Sequence, residues 1–185
     1  MNIAHPAGLL SNHDSYPDAY IRGILTSART VAMVGASDNE SRPSYFVLKH
    51  LITKRYRVFP INPGIAGKIL LGQRVYASLA EVPVPIDVVD VFRKPEAIPA
   101  VVDEALALSP KPKVIWMQLG LRDDVSAAKA EAAGVKVVMN RCMKIEYGRL
   151  CGEIGWVGVN SRTISSKKPV LAATGFQHLD IDSKN

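Results

Sequence analysis

The chain has only two cysteines, Cys142 and Cys151, and no CxxC pair. Two thiols do not make a disulfide framework, so the fold must be held by an apolar core. No apolar run reaches the ~18 residues of a membrane span. No cationic segment precedes an apolar stretch at the N-terminus, where His5, Asp14 and Asp18 stand instead, so no secretory leader is expected. The four histidines are His5, His13, His50 and His178, none of them just after an expected strand. No histidine–cysteine metal spacing and no Ser/His/Asp arrangement is visible. There is no basic run or RNA-binding motif, which disfavours nucleic acid as a partner. What remains is a cytoplasmic protein with no membrane segment.

A chain of 185 residues with 48% hydrophobic content suits one domain with extensions. The net charge of +6 is unevenly placed. Residues 31–94 hold nine Lys and Arg against five Asp and Glu, whereas residues 95–147 hold seven of each. The cationic half is therefore where an anionic ligand is expected.

The apolar pattern alternates strand and helix. Ser15 through Ala28 reads as a helix capped by Ser15, with Ile21, Ile24, Leu25 and Ala28 in one stripe. Val31–Val34 is a short run without polar alternation, as in a strand covered on both faces. A helix starts near Pro43-Ser44, a proline position suited to a first turn. Tyr56 to Ile61 is a second strand, residues 64–75 are loop-like, and Ser78 to Val82 forms a short helical turn. Val88–Phe92, Val114–Met117 and Val135–Met139 are three further strands. A helix carrying Ile98, Val101, Val102, Ala105 and Leu106 follows the first of them. An alanine-rich helix opened by Asp123 or Asp124 and closed by Gly134 follows the second. The expected fold is α/β: a Rossmann-like, doubly wound parallel sheet of about five strands with flanking helices, in a single domain. Residues past Lys167 are expected to be loosely ordered.

Ligands of such sheets bind at the carboxyl ends of the strands. The residues that follow the strands are Gly35-Ala36-Ser37, Asn62-Pro63, Phe92-Arg93-Lys94, Gln118-Leu119-Gly120 and Asn140-Arg141-Cys142. Gly35 permits a tight turn with close backbone approach. The helix beginning at Pro43 points free N–H groups and its positive dipole end at whatever lies above. Ser37 and Ser44 offer hydroxyls and Arg42 a bidentate grip, so a phosphate is expected here. A dinucleotide site wants three glycines and a carboxylate about 20 residues on for the ribose hydroxyls. Only Gly35 is present, and the carboxylate position is held by Asn62-Pro63. NAD is disfavoured on these grounds. NADP is less so, since Arg57 and Lys68 can serve a 2′-phosphate.

The segments V-G-A-S-x4-R-P-S-Y, P-I-N-P, V-D-V-F-R-x-P-E, W-M-Q-L-G and V-M-N-R-C recur in order at the strand ends. They resemble the stand-alone coenzyme A-binding domain family, related to the N-terminal domain of the succinyl-CoA synthetase alpha subunit. The resemblance covers roughly residues 20–147. It implies coenzyme A or an acyl-CoA lying across the strand ends, in a domain over 30–147 between an N-terminal helical extension, 1–29, and a Gly-rich segment and tail, 148–185. It places Gly35, Ala36 and Ser37 at the phosphates with Arg42, Pro43 and Ser44 beside them. Asn62 and Pro63 fall on the adenine-ribose side, and Phe92, Arg93 and Lys94 border the next loop. Gln118, Gly120, Asn140 and Cys142 complete the set.

The relatives' phosphorylated histidine belongs to a second domain, which has no counterpart in this sequence. The expectation is a small binding module, non-catalytic or regulatory. The alternatives are an NAD(P)-binding oxidoreductase or redox-sensing regulator, and a ligase-like subunit whose partner supplies the chemistry. A homo-oligomer or an unknown protein partner is compatible with all three. Asp87 and Asp90 read as strand-terminating or capping residues, Trp116 and Trp156 as packing residues, and Cys142 as a half-buried loop residue or, alternatively, a thiol facing the ligand's own thiol.

Overall fold

A computed structural model describes residues 12–151 and the backbone of two short strands near the C-terminus. The expectations for Gly152–Asn160 and for the order of the tail lie outside the described residues. The elements run α1 (Asp18–Ser27), β1 (Thr30–Val34), α2 (Pro43–Thr53), β2 (Arg57–Ile61), β3 (Ile69–Leu70), β4 (Gln73–Arg74), β5 (Val88–Val91), α3 (Ile98–Ala107), β6 (Val114–Met117), α4 (Asp124–Ala132), β7 (Lys136–Val138) and α5 (Met143–Leu150). The strands β8 (Val170–Leu171) and β9 (Gln177–His178) pair antiparallel with each other.

Five strands form a parallel sheet in the order β2-β1-β5-β6-β7. Every residue of β1, β5 and β6 is buried, as a sheet covered on both faces requires. One face carries α1, α2 and α5: Ile21, Leu25, Leu48, Leu51 and Met143 pack there on Val31, Met33, Val88 and Trp116. The opposite face carries α3 and α4, whose Ile98, Val102, Ala127 and Ala130 pack on Ala32, Val89, Ile115 and Val137. The doubly wound expectation is met, and the order reverses between β1 and β5, which is where such sheets open a crevice.

Four local differences have physical causes. Ser15 does not cap α1; Pro17 occupies that position with no side-chain cap, and α1 begins at Asp18. The loop over 64–75 contains a 3-10 turn at Pro63–Ile65 and the β3–β4 hairpin, too short to leave a periodic pattern. The passage from β2 to β5 therefore carries no α-helix, only these pieces and a 3-10 turn at Leu79–Glu81. Finally, α5 follows β7 and runs across residue 147, and Leu150 and Met143 bury into the core.

The N-terminal helix belongs to the same core. Tyr16 accepts a hydrogen bond from the Met139 N–H at 2.7 Å, and the Arg141 guanidinium lies 5.4 Å from its ring centre. At the amino ends of the strands, Asp87 gathers the chain. Its Oδ2 accepts from the backbone N–H groups of Arg29 and Thr30 at 2.8 and 3.0 Å, and Lys113 pairs with Oδ1 at 2.7 Å. Burial works to raise the Asp87 pKa, but these donors outweigh it and hold it at about 2.

Candidate functional site

Gly35 ends β1 with φ +91°, a conformation that L side chains rarely adopt. Its N–H and that of Ala36 both donate to the Ile61 carbonyl, which pins the turn to β2. On the other side a Cβ at Gly35 would collide with the Phe92 carbonyl oxygen. Glycine is thus required twice, once for the turn and once for the approach of β5's end across the switch point.

The loop beyond is folded by its own polar side chains. The Asn39 N–H donates to Ser37 Oγ at 3.1 Å, and the Ser41 N–H to Asn39 Oδ1 at 2.9 Å. Arg42 then caps α2 in an extended conformation without a side-chain bond, and Pro43 fills the first helical turn. Ser44 is buried, yet its hydroxyl meets no hydrogen-bond partner among the described residues. Asn62 is committed on both ends of its side chain. Nδ2 donates to the Ala36 carbonyl at 2.7 Å and Oδ1 accepts from the Gly64 N–H at 2.9 Å.

These residues enclose a cavity of about 510 Å³ at the carboxyl ends of the strands, within the usual range for small-molecule sites. Of the residues the sequence nominates, Gly35, Ala36, Ser37, Arg42, Pro43, Ser44, Asn62, Phe92, Arg93, Gln118 and Cys142 line it. Pro63, Lys94, Gly120 and Asn140 do not. Lys94 flanks a shallower hollow beside Phe92 and Arg93. Gly120 and Asn140 serve each other: the Gly120 N–H donates to Asn140 Oδ1 at 2.8 Å, tying the ends of β6 and β7. Both take left-handed backbone angles, φ +79° and +52°. Val47, Leu119 and Leu121 also line the cavity, and sequence reasoning had not singled out Val47 or Leu121.

The charges sort by position along the sheet. Arg42 and Arg93, on either side of the Gly35 turn, are exposed and form no ion pair among the described residues. Arg122 and Arg149, by contrast, are each paired with two carboxylates. The β6–β7 end is lined by Gln118, Leu119, Leu121 and Cys142, with no cation. Burial pushes the Cys142 thiol up, against the backbone N–H groups of Ile145 and Lys144, the opposite direction to the shift that activates a thiolate. Among the described residues no cluster of three His, Cys, Asp or Glu is placed to hold a metal ion. No helix there is long and apolar enough to cross a membrane.

Beneath Gln118 lies a residue whose position corrects its sequence reading. Asp90 does not cap or end β5 but sits inside it, fully buried, with Oδ1 accepting from Gln118 Nε2 at 2.8 Å. The carboxylate stands in a run of valines, a pattern that by itself does not separate a residue inside the strand from one at its edge.

The uncharacterized protein YneT of Bacillus subtilis (strain 168) is 35% identical over 129 residues, which span 70% of this chain and 93% of that protein. The solved structure of cell-free ID.343 from Thermus thermophilus superposes with a TM-score of 0.69 at 38% identity, covering 73% of this chain and 99% of that one. A hypothetical protein from Pyrococcus horikoshii OT3 gives 0.70 at 35% identity, with 82% and 100% covered. A dinucleotide-forming acetyl-coenzyme A synthetase of Ca. Korarchaeum cryptofilum shares the fold at a TM-score of 0.52 and 22% identity; 59% of this chain matches 25% of that one. The family model described as CoA binding domain matches residues 29–148, from the start of β1 into α5 and through every wall of the cavity, and the chain belongs to that family.

Proposed function

We propose that the cavity binds coenzyme A or an acyl-CoA and that the protein is a binding module, regulatory or carrier-like, without chemistry of its own. The observation that carries this reading is the pair Arg42 and Arg93, unpaired and facing one cavity across the Gly35 turn. Uncompensated guanidinium groups beside a helix N-terminus and a free Ser44 hydroxyl suit phosphate. Coenzyme A brings three phosphates with roughly four negative charges. Its neutral pantetheine arm suits the uncharged wall of Gln118, Leu121 and Cys142. The five strand tips span about four interstrand spacings of roughly 4.8 Å, a length suited to an extended ligand laid across the sheet. Asn62 argues against NAD, because its side chain is already spent on Ala36 and Gly64 and it carries no carboxylate for a ribose diol. A cytoplasmic location, and a second copy or another protein supplying any chemistry, accompany this reading.

Titration calorimetry with coenzyme A, acetyl-CoA, NAD and NADP tests it. Coenzyme A is expected to bind and NAD not, and Arg42→Ala should weaken coenzyme A by about 10-fold or more, as the loss of one charge-assisted hydrogen bond implies. Tighter binding of NAD than of coenzyme A would sink the proposal.

A further inference from the structure

Nothing in phosphate binding uses Asp90. It stands in the middle of β5, in register with Met33 of β1 and Trp116 of β6, and is 0% exposed. Alternation along the strand puts it with Val88 on the α1–α2–α5 face. Oδ1 has Gln118 as its partner, whereas Oδ2 has none. An orphaned, buried carboxyl oxygen is costly, and a fourth valine would have filled this strand without it.

Gln118 separates Asp90 from the cavity. It is 6% exposed and forms the wall beside Leu121 and Cys142. With Nε2 held by Asp90, its Oε1 faces away from that carboxyl and meets no donor among the described residues. We propose that Asp90 is a positioning residue: it turns the Gln118 carbonyl oxygen toward the β6–β7 end of the cavity, making that end a hydrogen-bond acceptor that favours a ligand ending in a free thiol over the same ligand acylated on its sulfur. The inference rests on the coenzyme A reading and on the phosphates lying at the Arg42–Arg93 end. A thiol can donate its S–H to Oε1. A thioester presents only acceptors, so its carbonyl oxygen meets the Gln118 oxygen with no proton between them.

The proton on Asp90 reverses this preference. An ionised carboxyl can only accept, which fixes Gln118 as described. A protonated one can donate its O–H to Gln118 Oε1, whereupon the amide turns over and offers N–H to the cavity. A thioester carbonyl then finds a donor. Burial pushes Asp90 up to about 7, against the Gln118 hydrogen bond, so the two arrangements exchange around neutral pH. Its register partners are Met33 of β1 and Trp116 of β6, and Gln118, just past β6, holds its Oδ1; α2 and α5 cover this face of the sheet with the apolar Val47, Leu48 and Met143 and with Cys142, whose thiol senses the Asp90 charge. Cys142 is the titratable one among them; its thiol is raised by burial foremost and in smaller part by Asp90.

The test is calorimetric titration of coenzyme A and acetyl-CoA into the wild type, Asp90→Asn and Gln118→Leu, each at about one pH unit below and above 7. In the wild type the ratio of affinities, free thiol over thioester, should rise several-fold from the lower pH to the higher. In Asp90→Asn the ratio should no longer change with pH, and in Gln118→Leu it should fall close to one at both. A merely structural role for either residue would weaken both ligands alike and leave the ratio and its pH dependence in place, which would overturn the proposal. If Asp90→Asn does not fold, the wild-type profile and Gln118→Leu decide. A wild-type ratio indifferent to pH also overturns it while leaving the coenzyme A reading standing; binding of neither ligand overturns both.

Discussion

Single residues set the geometry of this site, and Gly35 is the one with least latitude. A β-carbon there meets the Phe92 carbonyl, and the backbone already has φ +91°. Gly35→Ala should cost about 1–3 kcal/mol from backbone strain alone, with a further loss from the displaced end of β5. Chemical denaturation gives the stability, and titration with coenzyme A should show binding lost with it. The glycine was legible in the sequence because a lone glycine after a buried apolar run has few other uses. Asp90 was not. Val-Val-Asp-Val reads equally well as a strand with a polar residue at its edge, and only the register with Met33 and Trp116 places that carboxyl in the interior. Side chains that act through a neighbour, as Asp90 does through Gln118, leave no spacing to read.

Among the elements, β1, β5 and β6 were found within a residue because strands buried on both faces are continuous apolar runs. The helix α5 was missed for the opposite reason: Met-Lys-Ile-Glu-Tyr-Gly-Arg-Leu intersperses three charged residues and Gly148 among its apolar ones, and its place is fixed by tertiary contact with α1 and α2. Caps divide in the same way. Ser15 had the right residue type but lies ahead of Pro17, whereas Asp123 caps α4 in full, accepting from the Ser126 N–H at 3.0 Å and from its hydroxyl at 2.9 Å. Asp123→Ala should therefore destabilise the protein by about 1 kcal/mol. The neighbouring Asp124→Ala, which removes only an exposed pairing with Arg122, should leave the unfolding midpoint nearly unmoved. Thermal unfolding of the two variants side by side separates a cap from a surface charge.

Across the whole molecule an acid at the amino ends of the strands and one inside the sheet have opposite tendencies, and stability against pH should record both. Asp87, at the amino ends, has its folded pKa lowered from 3.8 to about 2. Its contribution is present above 3.8 and is lost as pH falls toward 2. Asp90, inside β5 beneath Gln118, has its folded pKa raised from 3.8 to about 7. The folded state then holds a proton that the unfolded chain has released, so this contribution is full below 3.8 and is lost as pH rises through 7. Together they place the greatest stability on the acid side of neutrality. A shift of this size on a fully buried group corresponds to something on the order of 4 kcal/mol by pH 8 or so. Asp90→Asn cannot ionise, so urea unfolding at about pH 5 and about pH 8 should show its stability changing less over that interval than the wild type's, with the variant gaining on the wild type at the higher pH. Equal slopes in the two proteins would mean that Asp90 carries no raised pKa. The cost would be borne at the cavity because a valine there, however stable, could not orient Gln118.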